Sequence, residues 1–537
     1  MTKHKLRIGL LLESNNLSSW SFSCIESLIH SEYAEIVLVI KNEILSEQNT
    51  AFSSKINQIS YSVFRAIENK IHKPNPDALI KKNLNSILDN CKERSSLTIE
   101  TEDLKQLDLI VQLDQNPIPK QLLQHVKYGI WSYYFGDYTK ERKGPVGVYE
   151  LFENQIDTKV SLHINGTIVN EDSVIYETSF SNDKLYCNRH ANTIYWEAAH
   201  MLPRMIKELY ESEPDEFFKK WLDKYSNSKI QKHQDYKFPS NFQTIKAVSK
   251  LYWKAFKGII ERRSYFEQWI LLFQINSDKK RPKSFHNFKR ILPPKDRIWA
   301  DPFVIERKDT YYIFIEELLF SEPYGKIAVI EMDKDGNYKS PETVIERPYH
   351  LSYPFLAEDN GELYMLPETM GNNTIELYKC IAFPYKWELE KVIMNNIKAV
   401  DSTLFKHDDT YWLFTNIEEF NGIKTSGELH LFYSDSLLSD HWIAHKQNPI
   451  VTDKSCARPA GHIYESENCM FRPAQDCTKH YGYGIKINEI TSLNTATYKE
   501  RLKQTIYPDW SKDMFSTHTI NASGDLTVMD AKIKRKR

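Results

Sequence analysis

The chain of 537 residues is too long for one ordinary domain and long enough for two or three cores, at roughly 100 to 200 residues each. Its 41% apolar and 13% aromatic residues describe a folded protein, and 70 basic against 72 acidic side chains (net charge -2) exclude a general nucleic-acid binder. Seven cysteines, odd in number and without CxxC spacing, argue against a thiolate zinc or redox site and for free thiols in a reducing compartment.

At the start, the apolar run Ile8-Gly9-Leu10-Leu11-Leu12 is broken after five residues by Glu13-Ser14-Asn15-Asn16. That is too short for a signal peptide and reads as a buried strand. A helical stretch through Trp20, Phe22, Ile25, Leu28 and Ile29 and a second apolar run, Ile36 to Ile40, complete a βαβ opening of an open parallel sheet. Such sheets bind ligands at the carboxyl ends of their strands, so the Glu13–Ser19 loop is expected to wall a site; lacking GxGxxG glycines, it does not favour a dinucleotide. Residues 41 to 105 are polar and expected as loops and helices, before another strand at Leu107–Val111.

The order Tyr128-Gly129-Ile130-Trp131-Ser132-Tyr133-Tyr134-Phe135-Gly136-Asp137, then Arg142-Lys143-Gly144-Pro145, then Thr158 to His163 resembles the amino-terminal domain of methionyl-tRNA formyltransferases and their sugar-formylating relatives. The resemblance implies a formyltransferase-like α/β open sheet over residues 1–210. Where that family carries Asn-x-His, this chain reads Trp131-Ser132-Tyr133, so the fold is implied and formyl transfer is not; His163, Asp137 and Arg142 are expected to serve the scaffold.

Residues 211–264 are expected as a helical connector. Between about 240 and 263, Lys246, Lys250, Lys254 and Lys257 interleave with Leu251, Trp253 and Phe256 at helical spacing. Such a basic amphipathic stretch either packs on a neighbouring domain or makes a peripheral contact with an anionic membrane surface.

The carboxyl half repeats a unit of polar residue, apolar pair, short polar turn and aromatic strand about every 50 to 60 residues. Its copies are Trp299-Ala300-Asp301-Pro302, Ser352-Tyr353-Pro354, Val400-Asp401-Ser402-Thr403, Ala457-Arg458-Pro459 and Ser516-Thr517-His518-Thr519. One four-stranded blade per copy predicts an all-β five-bladed propeller over 265–537, making the chain multidomain. Each first strand should line the axis, so Asp301, Tyr353, Asp401, Arg458 and His518 are expected to converge on one funnel.

Ala300-Asp301-Pro302 and Asp401-Ser402-Thr403 resemble the acidic motifs of glycoside hydrolase family 43, and the run from Trp299 through Arg472-Pro473-Ala474-Gln475-Asp476 to Tyr498-Lys499-Glu500 resembles the propeller region of plant glucosamine inositolphosphorylceramide transferases. The first resemblance implies Asp301 as general base and Asp401 as the residue that tunes it, and a general acid from the fourth blade. Candidates for the acid are Glu428, Glu465 and Glu467, with Glu465 the expected one. Trp299 is expected as an aromatic platform, Arg458 as the partner of a phosphate or carboxylate, and Tyr353, His462, Arg472, Gln475, Asp476 and His518 as further sugar contacts. Arg472, Gln475 and Asp476 serve equally well as a hydrogen-bond network between strands. No protein metal centre is expected, although the family resemblance allows calcium on the axis, near His518.

The expected function is a glycan-modifying enzyme of cell-envelope polysaccharide or glycolipid biosynthesis, working by glycosyl transfer or hydrolysis on a glycan or glycolipid. A nucleotide sugar is the expected donor, and the expected location is the cytoplasm or the inner face of the membrane. Two alternatives stand beside it: a non-catalytic glycan-binding scaffold, and formyl-like group transfer to a nucleotide-linked amino sugar by the front domain.

Overall fold

The computed structural model describes residues 4–43, 57–71, 73–88, 91–114, 116–140, 142–166, 168–169, 172–182, 185–225, 230, 235–275, 285–418 and 427–537. The chain divides into two units, Met1–Lys257 and Gly258–Arg537.

The front unit is built on a seven-stranded sheet in the spatial order Ser173–Ser181, Asp157–Asn165, Ile130–Phe135, Leu109–Gln112, Leu6–Leu12, Ala34–Lys41, Lys92–Ser95. The last five run parallel, and the first two are antiparallel additions at one edge. Leu6–Leu12 is buried along its carboxyl-terminal half because the sheet is covered on both faces, which is why it reads as an unbroken apolar run. The polar stretch after Lys41 contains the helix Ile59–Ile71 and the edge strand Lys92–Ser95; residues 44–56 lie outside the described set.

The helix Pro214–Tyr225, expected in a separate connector, buries Phe217, Phe218 and Trp221 in the same core as the sheet. Proline opens it and Asp215 and Glu216 occupy its first turn, the arrangement that suits the free amides and positive end of a helix. The front unit therefore extends well past residue 210, to Lys257.

The second unit is a five-bladed propeller. Blade 1 runs Arg297–Arg307, Thr310–Leu319, Lys326–Met332, Glu342–Ile345; blade 2, Ser352–Asp359, Glu362–Glu368, Thr374–Ala382, Lys386–Asn395. Blade 3 runs Ala399–His407, Thr410–Ile417, Leu429–Ser434, Ile443–Ala444; blade 4, Tyr464–Ser466, Cys469–Asp476, Gly484–Leu493, Tyr498–Ile506. In blades 1 to 4 the first hairpin turns on residues with positive φ: Lys308-Asp309, Asn360-Gly361, Asp408-Asp409 and Glu467-Asn468. Tight hairpins need this left-handed backbone to match strand twist, which explains the polar turns of the repeat.

Blade 5 closes the ring with both ends of the unit. Met514–Ser516 and Ile520–Ser523 pair with Leu526–Lys536, which pairs along eleven residues with Tyr265–Ile275, itself flanked by Lys289–Ile291.

Candidate functional site

The site is made by a backbone device repeated in three blades. In each first strand the register slips by one residue, between Ala300 and Phe303, Ser352 and Phe355, and Val400 and Thr403. At each slip a non-glycine residue sits in the left-handed region: Asp301 (φ 50°), Tyr353 (φ 45°) and Asp401 (φ 50°). These are β-bulges, which re-aim a side chain out of the strand, and they leave the following residue free of the ladder. Proline, which has no N–H to give, follows at Pro302 and Pro354. A left-handed tyrosine is costly backbone, kept where the surrounding structure enforces it.

Asp301 is thereby brought against two other blades. Its Oδ1 accepts from the Thr519 hydroxyl at 2.7 Å and lies 3.7 Å from His518 Nε2, while its Oδ2 accepts from the Tyr353 amide at 3.3 Å. Behind it stands Asp530, which accepts from the Asp301 amide at 3.1 Å and from the His518 and Thr519 amides at 2.8 and 3.1 Å. Asp530 Oδ2 also faces His518 Nδ1 at 2.5 Å, and Trp269 stacks flat on the imidazole with ring centres 4.1 Å apart.

Across the axis, Asp401 Oδ2 accepts from Arg458 Nε at 2.5 Å and from Gln475 Nε2 at 2.7 Å, and Arg458 reaches Glu368 at 3.7 Å. Tyr481 covers the Arg458 guanidinium with its ring face, 4.9 Å from the ring centre, and meets His518 edge-on. The tyrosine is 47% exposed, whereas Asp301, Asp401, His518 and Arg458 are buried, so it forms the lip of the cluster. Gly482 beside it has φ +63°, and a Cβ there would fall 2.9 Å from His518.

The electrostatics follow from this packing. Burial pushes Asp301 up to about 7, with His518 opposing and Asp401, Glu316 and Asp530 adding to the rise. His518 loses to burial but gains more from Asp530 and Asp301, and is pushed up to about 9, so it is an imidazolium at neutral pH. Glu368 is raised well above the usual carboxylate range by burial and by the neighbouring Asp401. The cluster thus holds one carboxyl poised near neutrality, one carboxyl kept protonated, and two buried cations.

Asp301, Tyr353, Asp401, Arg458 and His518, expected from the repeat to converge, lie together, and Gln475 joins them through its bond to Asp401. Tyr353 contributes mainly its amide, because its hydroxyl is occupied by Thr403 and the Gly461 amide, both at 2.8 Å. Other expected residues lie elsewhere. Glu465 is on a hairpin with its side chain 61% exposed, 3.6 Å from His407. His407 is six residues beyond Asp401 along an extended strand, roughly 20 Å away. Trp299 is buried and gives its indole N–H to Glu317 at 3.0 Å, so it is core and offers no platform. Arg472 pairs in blade 4 with Glu500 through two bonds of 2.8 and 2.7 Å, and Asp476 caps a turn by accepting from Thr478. His462 spans between Asn521 and the Leu356 carbonyl, lining a separate cavity of about 350 Å3 near Leu404 and Ile463. In the front unit, His163 Nδ1 lies at hydrogen-bonding distance, 3.2 Å, from Asp172, and Asp137 accepts from Thr139 in a turn.

Sequence reading missed Glu368, Asp530, Glu316 and Tyr481. The signal was present: Ala300 pairs with Glu316, Ser352 with Glu368 and Val400 with Asn416, so the second strand of each blade places its own polar residue beside the axial one. Asp530, next to Met529 in the second strand of blade 5, continues the series.

Asp301, His518 and Asp530 bring possible metal-ligand atoms within 4.8 Å of one another. Their oxygens are already taken, Asp530 accepting from three backbone amides and Asp301 from Thr519 and the Tyr353 amide, and His518 Nδ1 is engaged by Asp530. This donor set, turned inward on itself, does not fit calcium.

Fold and site together define a five-bladed propeller with an ion-paired, carboxylate-rich axial centre. Its residues 294–516 match the family described as glucosamine inositolphosphorylceramide transferase 1, N-terminal. The chain is 37% identical over 204 residues to glucosamine inositolphosphorylceramide transferase 1 of Oryza sativa subsp. japonica, covering 37% of this chain and 27% of the relative. The Arabidopsis thaliana protein of the same name is 36% identical over 204 residues, covering 37% and 26%. The chain thus spans about a quarter of the length of the curated relatives it matches. Among solved structures, a family 117 glycoside hydrolase of Zobellia galactanivorans is similar at 11% identity and TM-score 0.34, covering 50% of this chain and 90% of that one. An α-L-arabinanase of Cellvibrio cellulosa is similar at 14% and 0.28, covering 38% and 77%.

Proposed function

We propose that the propeller unit is the sugar-handling part of a carbohydrate-active enzyme, acting by glycosyl transfer or hydrolysis on a glycan or glycolipid. The observation that carries this reading is the pairing of Asp301, poised near neutrality, with Glu368, held protonated, around one axis. Two carboxyl groups pushed to different protonation states are what acid–base chemistry at an anomeric carbon needs.

In that mechanism Asp301 takes the proton from the attacking hydroxyl, of water or of an acceptor sugar, as its oxygen bonds to the anomeric carbon. The bond from that carbon to the leaving oxygen breaks, and Glu368 gives its proton to that oxygen. Thr519 and the Tyr353 amide fix the Asp301 carboxylate, and Asp530 orients His518 beside it. Arg458, fixed by Asp401, supplies positive charge for a phosphate in the leaving group or acceptor. Tyr481 takes the place assigned to Trp299 as the ring on which a sugar packs.

The relatives' name, a transferase of glucosamine and inositolphosphorylceramide, supports a glycolipid among the substrates and transfer over hydrolysis. A nucleotide sugar fits as donor, and assembly of an envelope polysaccharide or glycolipid from the cytoplasmic side fits as setting. Among the described residues no helix is long and apolar enough to cross a membrane.

The test is mass spectrometry of products after incubating the full chain with nucleotide sugars and lipid-linked or free glycans. Asp301→Asn and Glu368→Gln should each reduce turnover by about 100-fold or more with the fold intact. Tyr481→Ala should raise KM more than it lowers kcat. Ligand binding by the wild type with no product from any protein would replace the enzyme with a glycan-binding scaffold.

A second reading, group transfer by the front unit, is favoured by a cavity of about 360 Å3 at the carboxyl ends of its parallel strands, lined by Glu13, Ser14, Trp20, Asp114 and Phe135 among others. Among the described residues, Asp114 Oδ2 is buried there with no hydrogen-bond partner. Product formation that survives Asp301→Asn and is lost in Asp114→Asn would establish that reading.

A further inference from the structure

The helix Asn241–Ser264 has three faces. At about 100° per residue, Thr244, Ala247 and Leu251 fall on one side and are buried. The neighbouring arc carries Phe242, Ile245, Tyr252, Trp253 and Phe256, which are 75%, 59%, 60%, 67% and 54% exposed. The flank beyond that arc carries Lys246, Lys250 and Lys257, all exposed. The expectation of a solvated face packed on a neighbour accounts for the lysines but not for five large apolar side chains left in water.

A second helix carries an exposed apolar row of its own. In Ile59–Ile71 the residues Ile59, Val63, Ile67 and Ile71, four apart and hence in one row, are all exposed. Their opposite face buries Tyr61, which shares a small core with Leu251, Val148, Leu151 and Cys187. The two helices are tied at their starts, where the Asn241 amide donates to the Asn57 carbonyl at 2.7 Å and the Asn241 side chain accepts from the Ser60 amide at 2.8 Å. Both therefore turn their exposed apolar rows away from one shared core. Water-soluble surfaces do not leave apolar rows of this length without an occupant.

We propose that these two helix faces dock the protein onto an anionic lipid bilayer. The charge pattern selects this occupant. Lys246, Lys250 and Lys257 border the apolar arc with positive charge, which anionic headgroups complement. Trp253, Tyr252 and Phe256 are side chains that favour the headgroup boundary, and the buried inner face keeps the helix lying along the surface. The docking is independent of what the propeller catalyses.

The experiment is flotation of the full-length chain with phosphatidylcholine vesicles, with and without phosphatidylglycerol. The wild type should float only with the anionic vesicles and release as salt is raised. Trp253→Asp/Phe256→Asp, and separately Lys246→Glu/Lys250→Glu/Lys257→Glu, should each weaken binding by about ten-fold or more. Circular dichroism and the melting temperature of the variants verify the fold, and Trp253→Ala/Phe256→Ala serves where the aspartates perturb it. No flotation of the wild type, flotation unchanged in the folded variants, or a wild-type dimer dispersed by Trp253→Asp/Phe256→Asp would each overturn the proposal.

Discussion

Asp301 and His518 stand 3.7 Å apart, and both have their affinity for protons raised by folding. For Asp301 the stabilisation is fully present below its ordinary 3.8 and is lost as pH rises through about 7; for His518 it is full below 6.5 and lost as pH rises through about 9. The signs agree, so the pair stabilises the fold on the acid side and weakens it on the alkaline side. Thermal unfolding from pH 4 to 9 should show the propeller transition falling across that range, through Asp301 below about pH 7 and through His518 above pH 6.5. In Asp301→Asn the decline between pH 4 and 7 should flatten; an unchanged slope there would remove Asp301 from the titrating cluster. Arg472 tests a different kind of buried charge. Arg472→Met strands the Glu500 carboxylate, and a loss of roughly 3 to 5 kcal/mol in denaturant titration is expected, much of it recovered when Glu500→Leu is added. Arg472 and Arg458 also show why single residues were only half legible. Which of the two faces a site depends on its partner's strand: Glu500 within the same blade for Arg472, Asp401 in the neighbouring blade for Arg458. Trp299 likewise reads as a sugar platform until Glu317 is seen to take its N–H.

At the scale of elements, the bulges decide which polar residues converge. A residue added between two strand partners moves one side chain out of the pleat, and the same device in three blades produces a ring from a repeat. Asp-Pro and Tyr-Pro in the sequence were its visible trace, since proline is tolerated where the ladder is already interrupted. The closing pair left no such trace. Tyr265–Ile275 carries no copy of the repeat, because it is the third strand of its blade and the repeat marks the first and second strands. Its importance is testable. Ile270 is buried and opposite Ala531, and Ile270→Pro should prevent closure of the ring, seen as loss of the propeller's β signal by circular dichroism and rapid limited proteolysis of residues 258–537. Retention of a protease-resistant propeller would show that four blades suffice.

For the whole molecule, periodicity revealed the two architectures and missed where one gives way to the other. Blade spacing and the βαβ opening were legible because they depend on local patterns of apolar residues. The division at Lys257 was not, because Phe217, Phe218 and Trp221 mark an amphipathic helix equally well in a connector or in the front core. A chain starting at Gly258 contains every strand of the ring, so it should fold alone, with a cooperative melt matching one transition of the full protein. The pairing of Tyr265–Ile275 with Leu526–Lys536 also sets an order of events during synthesis. The first propeller strand leaves the ribosome about 250 residues before its partner exists, which at typical elongation rates is on the order of tens of seconds. Throughout that interval the segment Trp269-Ile270-Leu271-Leu272-Phe273 lacks its partner, an apolar β-forming edge of the kind that seeds aggregation. Yield of soluble protein should therefore depend on how quickly the distant carboxyl-terminal strand arrives, and on whether a chaperone shields the waiting one.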